Sequence, residues 1–343
     1  MKTTLLLLAA LLALSTPMKS AAQDSEVLQR FVGASGWLNS PPLGAIELRG
    51  KVVLVEFWTY TCINWLHTMP YVRAWAEKYK DKGLVVIGVH TPEFPFERDL
   101  DNIRRSIREM QIPFAVAVDS NYMVWRAFRN NSWPAFYFID ARGRVRHQHL
   151  GEGEYERSEQ ILQQLLEEAG AADVRGPLVS VVGRGIEAAA DWANLRSPEN
   201  YLGSDRTSKF ASPGGTGLGP RRVYSVPTHL ALNYWALAGD WTMGTGAVTL
   251  NKVKGRIVYR FHARDVHLVM GSATPGNSVR FRVLVEGKPP GNAHGVDVDD
   301  QGYGIATEQR LYQLIRQPAP IADRQFEIEF LDAGVEVFSF TFG

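Results

Sequence analysis

"FWTYTCINWLHTMP", residues 57–70, sets a cysteine between two kinds of periodicity. Behind it, "VVLVEFW" (52–58) is a near-continuous apolar run, the pattern of a parallel strand buried on both faces. Ahead of it, Trp65, Met69, Val72, Ala76 and Tyr79 recur at helical spacing, and Gly83 ends that helix. Cys62 therefore stands where strand passes into helix. Position 65, where a dithiol site would carry its second cysteine, holds tryptophan.

The same switching of period continues downstream. "LVVIGVH" (84–90) reads as a second buried strand, 97–110 as a charged helix, "FAVAVD" (114–119) as a third strand and 121–128 as a short helix. "AFYFID" (135–140) and "VRHQHL" (145–150) flank the turn "ARGR" as an antiparallel hairpin, and 156–169 closes with an amphipathic helix. Strands alternating with helices, then a hairpin and a last helix, imply a three-layer α/β domain.

Around 171–227 the texture becomes rich in Gly, Pro and Ser, as in "RGPLVSVVGRG" and "ASPGGTGLGP". Beyond it, period two dominates: Ile257, Tyr259 and Phe261, then "VRFRVLV" (279–285), "FEIEF" (326–330), and Phe338, Phe340 and Phe342. Short strands between turn clusters read as an antiparallel sandwich. The expected organisation is a signal peptide over 1–22, an α/β domain over 23–170, a linker over 171–195 and a β-sandwich over 196–343.

The signal peptide is read from Lys2, the short apolar core Leu5–Leu14, and the small residues Ser20-Ala21-Ala22. It implies export to the periplasm or secretion. No later run is long enough to cross a bilayer, so the mature chain is not expected to span a membrane. A formal net charge of +1, with Lys and Arg spread along the chain, argues against nucleic acid as a partner. A single cysteine in an exported chain closes no internal disulfide, which leaves a thiol free for chemistry or for an intermolecular bond.

A cysteine delivered to the first turn of a helix meets unpaired backbone N–H groups and the positive end of the helix dipole, and both favour thiolate. Glu56, an acid inside the strand, is expected to carry a raised pKa and to relay protons to the sulfur. Trp65 reads as a core or groove-lining aromatic. Pro70 should kink the helix. Pro134 follows Trp133 ahead of a strand; taken alone it reads as an ordinary trans proline.

"GKVVLVEFWTYTCINW", "GLVVIGVHTPEF" and "WPAFYFIDARGRVRHQHLGEGEY" together resemble the thioredoxin-like domain of DipZ-type periplasmic thiol-disulfide proteins, in the redoxin branch. "SPENYLG" and the terminal "FSFTFG" resemble the carbohydrate-binding-module-like domain that follows it there. The resemblance implies an α/β thioredoxin-like domain followed by an all-β jelly-roll sandwich domain. It makes Cys62 the attacking cysteine, Glu56 the buried acid and Pro134 a cis-proline; Trp65, Trp133 and Thr59 are the candidate residues of a substrate groove beside it. Protein or small-molecule disulfides and an external thiol reductant are the implied partners, with no cofactor.

The departure is Trp65. Without a resolving thiol, Cys62 is expected to act as a monothiol exchanger. Two alternatives stand beside it. One is a one-cysteine peroxidase, in which Thr59, at Thr-x-x-Cys spacing, orients peroxide and Arg126 or Arg129 supplies a cation. The other is a binding protein that keeps the fold.

Weaker signals are His147 and His149, on one face of a strand without a third metal ligand, so that no metal site is expected. "DVDD" (297–300) reads as a solvated turn. Glu93 borders the expected groove, and carbohydrate could stack on Tyr201, Tyr224, Trp235, Trp241 or Tyr259.

Overall fold

The computed structural model describes residues 28–343 apart from 218 and 220. The proposed signal peptide lies outside the described residues.

The first domain is built on β1 (Gly36–Leu38), β2 (Val52–Trp58), α1 (Ile63–Tyr79), β3 (Leu84–His90), α2 (Leu100–Glu109), β4 (Ala115–Val118), α3 (Met123–Phe128), β5 (Ala135–Ile139), β6 (Val145–Leu150) and α4 (Tyr155–Glu168). Its sheet runs β1-β4-β3-β2-β5-β6. β2, β3 and β4 are parallel, while β1, β5 and β6 pair antiparallel with their neighbours. β1 was not legible as a strand: three residues carry too little periodicity to register.

β2 is buried along its whole length, which explains its apolar run. Val53, Val55 and Phe57 pack on one face with Val124 and Phe128 of α3. Val52, Leu54 and Trp58 pack on the other with α1, α2 and α4. By alternation Glu56 shares this second face. The helix α1 continues through Pro70 to Tyr79. Gly88 on β3 allows the close approach of Trp58, since a Cβ there would lie 2.8 Å from the indole nitrogen.

The second domain is all-β: β7 (Asn200–Tyr201), β8 (Arg222–Tyr224), β9 (Trp235–Met243), β10 (Val248–Leu250), β11 (Gly255–Phe261), β12 (Asp265–Ser272), β13 (Val279–Val285), β14 (Tyr303–Ala306), β15 (Arg310–Arg316), β16 (Arg324–Phe330) and β17 (Val335–Phe342). The strands pair antiparallel along the path β14-β13-β16-β11-β9-β10-β17-β12-β15, with β7 on β17 and β8 on β9, and most of their buried apolar residues form one core.

The segment between the domains is held down. Glu159 of α4 accepts from the Trp75 indole, the Tyr79 hydroxyl, Lys78 and the Val179 backbone N–H. Arg73 of α1 pairs with Glu187 at 2.6 Å.

The domains also share a core. Val269, Leu311 and Phe338 of the second join the cluster that holds Trp58, Trp65 and Met69 of the first. Phe338 makes ring contacts with Phe94 and Phe96 at 5.4 and 4.9 Å. Simple alternation puts Phe338 on the face of Phe340 and Phe342, but the structure does not. The β12–β17 register shifts between Val269 and Met270, so that Ser339 faces Val269 and Val337 faces Met270. Phe338 is the extra residue of this bulge. It leaves the sandwich core, where Val335, Val337, Phe340 and Phe342 sit, and enters the first domain's.

Candidate active site

Cys62 is the N-cap of α1, with extended backbone (φ −78°, ψ 109°) and no side-chain cap bond. Its sulfur lies 3.8 Å from the Trp133 carbonyl and is half-buried. The Trp133–Pro134 peptide is cis, as the resemblance implies. Trp133 donates its indole N–H to the Thr91 carbonyl at 3.1 Å and packs on Trp125 at 4.4 Å. The two indoles are half-buried, and Trp133 meets the thiol through its backbone carbonyl.

Of the three expected groove residues, Trp133 alone is partly open. Trp65 and Thr59 are fully buried and line no surface. Trp65 stacks on Trp58, centroids 4.5 Å apart and planes at 25°, because position 65 points from the first turn of α1 into the sheet. Position 65 is thus filled by core.

Glu56 is fully buried, and burial pushes its carboxyl up to about 8. It lies 3.2 Å from the Thr68 hydroxyl, whose proton also reaches the Trp65 carbonyl at 2.7 Å. A protonated Glu56 donating to Thr68 satisfies both contacts with the protons available. The folded-state pKa is raised, so the stability it confers is full below about 4.5 and is lost as pH rises towards about 8. Glu56→Gln, which cannot ionise, should therefore gain stability over the wild type across that window. Paired thermal melts at pH 5 and 8 check this; equal differences at both would show that Glu56 does not titrate there.

The thiol's surroundings oppose the expected activation. Burial first, then the carboxylate of Glu93, pushes the Cys62 thiol well above its ordinary value, with Glu199 and Glu97 adding to the effect. The helix N-terminus acts the other way and is outweighed. Sequence reasoning placed Glu93 near the groove but missed Glu97, which is fully buried and pushed up to about 7 chiefly by burial. Glu97 accepts from the Thr61 hydroxyl at 2.6 Å and from the backbone N–H groups of Glu93 and Phe94 at 2.6 and 2.8 Å. Pro95 followed by an acid is a helix-start signal that could have flagged it. Tyr201 and Arg206, which reach Glu93 from the second domain, carried no such signal.

Other expectations resolve as structure. Arg126 and Arg129 are exposed on and after α3, and Arg126 donates to the Asn121 carbonyl. Tyr224, Trp235, Trp241 and Tyr259 are buried in the sandwich core, so these four offer no face to a sugar. His147 and His149 pack on Phe138 and Phe136 rather than facing solvent fully. Asp297 pairs with Arg310 at 2.7 Å, and Asp299 accepts from the Gln301 and Tyr303 backbone N–H groups, so "DVDD" closes its own turn. Among the described residues, no group of three or more His, Cys, Asp or Glu is placed to hold a metal ion.

The α/β domain with its strand-to-helix cysteine and cis-proline, followed by an all-β domain, defines a class. The chain belongs to the thioredoxin-like (redoxin) family. Residues 42–148 match the AhpC/TSA family, and residues 197–343 match the thioredoxin like C-terminal domain. Protein DipZ of Mycobacterium tuberculosis is 34% identical over 323 residues, 91% of this chain and 42% of DipZ, so the chain spans less than half of that relative. The thiol-disulfide oxidoreductase YkuV of Bacillus subtilis is 31% identical over 124 residues, covering 36% of this chain and 83% of YkuV. A solution structure of a thioredoxin-like protein in the oxidized form is 31% identical, with a TM-score of 0.36 over 39% of this chain and 90% of that one. Among the described residues, no helix is long and apolar enough to cross a membrane.

Proposed function

We propose that the protein is an exported monothiol thiol-disulfide exchanger acting through Cys62, with residues 23–170 as the redox domain. Pro134 and Trp133 would border the substrate, and Glu56 would serve as the buried acid. The observation that carries this reading is the helix N-cap itself: Cys62 stands there half-buried beside the Trp133 carbonyl, and the position of a resolving cysteine is occupied by buried Trp65.

In the proposed cycle the Cys62 thiolate attacks one sulfur of a disulfide, forming a mixed disulfide and expelling the other sulfur as a thiolate, which takes up a proton. An external thiol then attacks the mixed disulfide at the substrate's sulfur and frees Cys62. Because burial and carboxylates hold the thiol protonated, the first step should accelerate as pH rises.

The test mixes reduced protein with oxidised glutathione and, separately, with hydrogen peroxide. The expected result is a Cys62–glutathione adduct that persists until dithiothreitol is added and is absent from Cys62→Ser. Absence of the adduct would overturn the exchanger reading, and catalytic peroxide consumption would put the peroxidase in its place.

A further inference from the structure

The second domain reaches into the thiol site. The Glu93 carboxylate, whose side chain is 8% exposed, accepts the Tyr201 hydroxyl and lies 3.5 Å from Arg206. Arg206 stacks on the Tyr201 ring, 3.3 Å from its centroid. Both residues come from β7 and the turn after it, and β7 is fixed by pairing with β17. On the other side, Glu97 grips the Glu93 backbone N–H and the hydroxyl of Thr61, the neighbour of Cys62. A continuous chain of contacts therefore runs from the second domain to Thr61, the residue before Cys62.

We propose that Tyr201 and Arg206 are positioning residues of the thiol site: they favour the charged form of the Glu93 carboxyl, so that docking of the second domain restrains the Cys62 sulfur. Burial raises the Glu93 carboxyl above the usual carboxylate range, and donors that face it work against that shift. Tyr201 and Arg206 are the donors that the second domain supplies. Other charged and titratable groups around the site include Glu97, Tyr60, Arg98, Asp119 and Tyr122 from the first domain and exposed Glu199 from the second, whose carboxylate is 3.2 Å from the Tyr201 hydroxyl. An ionised Glu93 disfavours a thiolate beside it; a protonated Glu93 does not.

This rests on Cys62 being the reactive thiol, so the test reads the sulfur without any disulfide substrate. Iodoacetamide alkylates thiolate, forming a carbon–sulfur bond and releasing iodide, and its rate against pH gives the Cys62 midpoint in the full chain. Tyr201→Phe removes one donor, and Glu93→Gln removes the charge. Each should lower the midpoint by about one pH unit. The double variant should match Glu93→Gln alone, because Tyr201 acts only through the carboxylate; a merely structural tyrosine would shift both backgrounds. Coincident profiles for wild type and Glu93→Gln would overturn the proposal, as would a Tyr201→Phe shift that persists without Glu93. A wild-type Cys62 that resists iodoacetamide at every pH would overturn this inference and the exchanger reading together.

Discussion

Trp65→Cys should form an internal disulfide with Cys62 and turn a one-step thiol into a dithiol catalyst. Cys62 is the N-cap of α1, and residue 65 lies in its first turn, three positions on and on the same face. That spacing lets two sulfurs reach bonding distance with little backbone movement. Oxidised variant should be lighter by two hydrogens than its reduced form, and it should reduce insulin with dithiothreitol as donor where the wild type stalls as a mixed disulfide. The substitution also removes an indole stacked on Trp58 in a fully buried position, at a cost of about 3–5 kcal/mol. A folded variant with neither disulfide nor turnover would mean that the strand-to-helix turn no longer permits dithiol geometry.

Phe338→Ala should destabilise the protein by about 3–5 kcal/mol, as large aromatic truncations in cores do. Phe338 is 5% exposed, and its ring packs against the stacked pair Phe94 and Phe96 of the other domain. The loss should fall on the junction more than on the sandwich, whose own core keeps Val335, Val337, Phe340 and Phe342. Limited proteolysis between residues 171 and 199 should quicken along with the drop in melting temperature. A normal melting temperature and unchanged proteolysis would show that the domains are joined by other contacts.

Much of the fold was legible because burial writes itself into period. β2 is apolar at nearly every position since both its faces are covered, and α1 shows helical spacing because one side meets the sheet. The thiol's position followed from that junction. Its electrostatics did not, because Glu93, Glu97 and Glu199 approach Cys62 from distant stretches of chain, and the dipole argument sees only the local helix. Trp65 was ambiguous for a related reason: helical spacing places a residue on a face but does not reveal what lies against it. The aromatics considered for sugar stacking were ambiguous in the same way, since a core and a stacking platform draw on the same residue types; Tyr224, Trp235, Trp241 and Tyr259 are core.

The bulge at Phe338 makes residue counting itself a carrier of information. Strand parity is reset once inside Val335–Phe342, so the residues before and after the bulge serve one core while the odd member serves another. Lengthening or shortening this strand by one residue is therefore read twice, as a frame error in the sandwich and as a lost latch on the thiol domain. A change of residue type at one site leaves the frame intact. For that reason this strand should accept substitutions far more readily than insertions or deletions, and inheritance should fix its length more firmly than its composition.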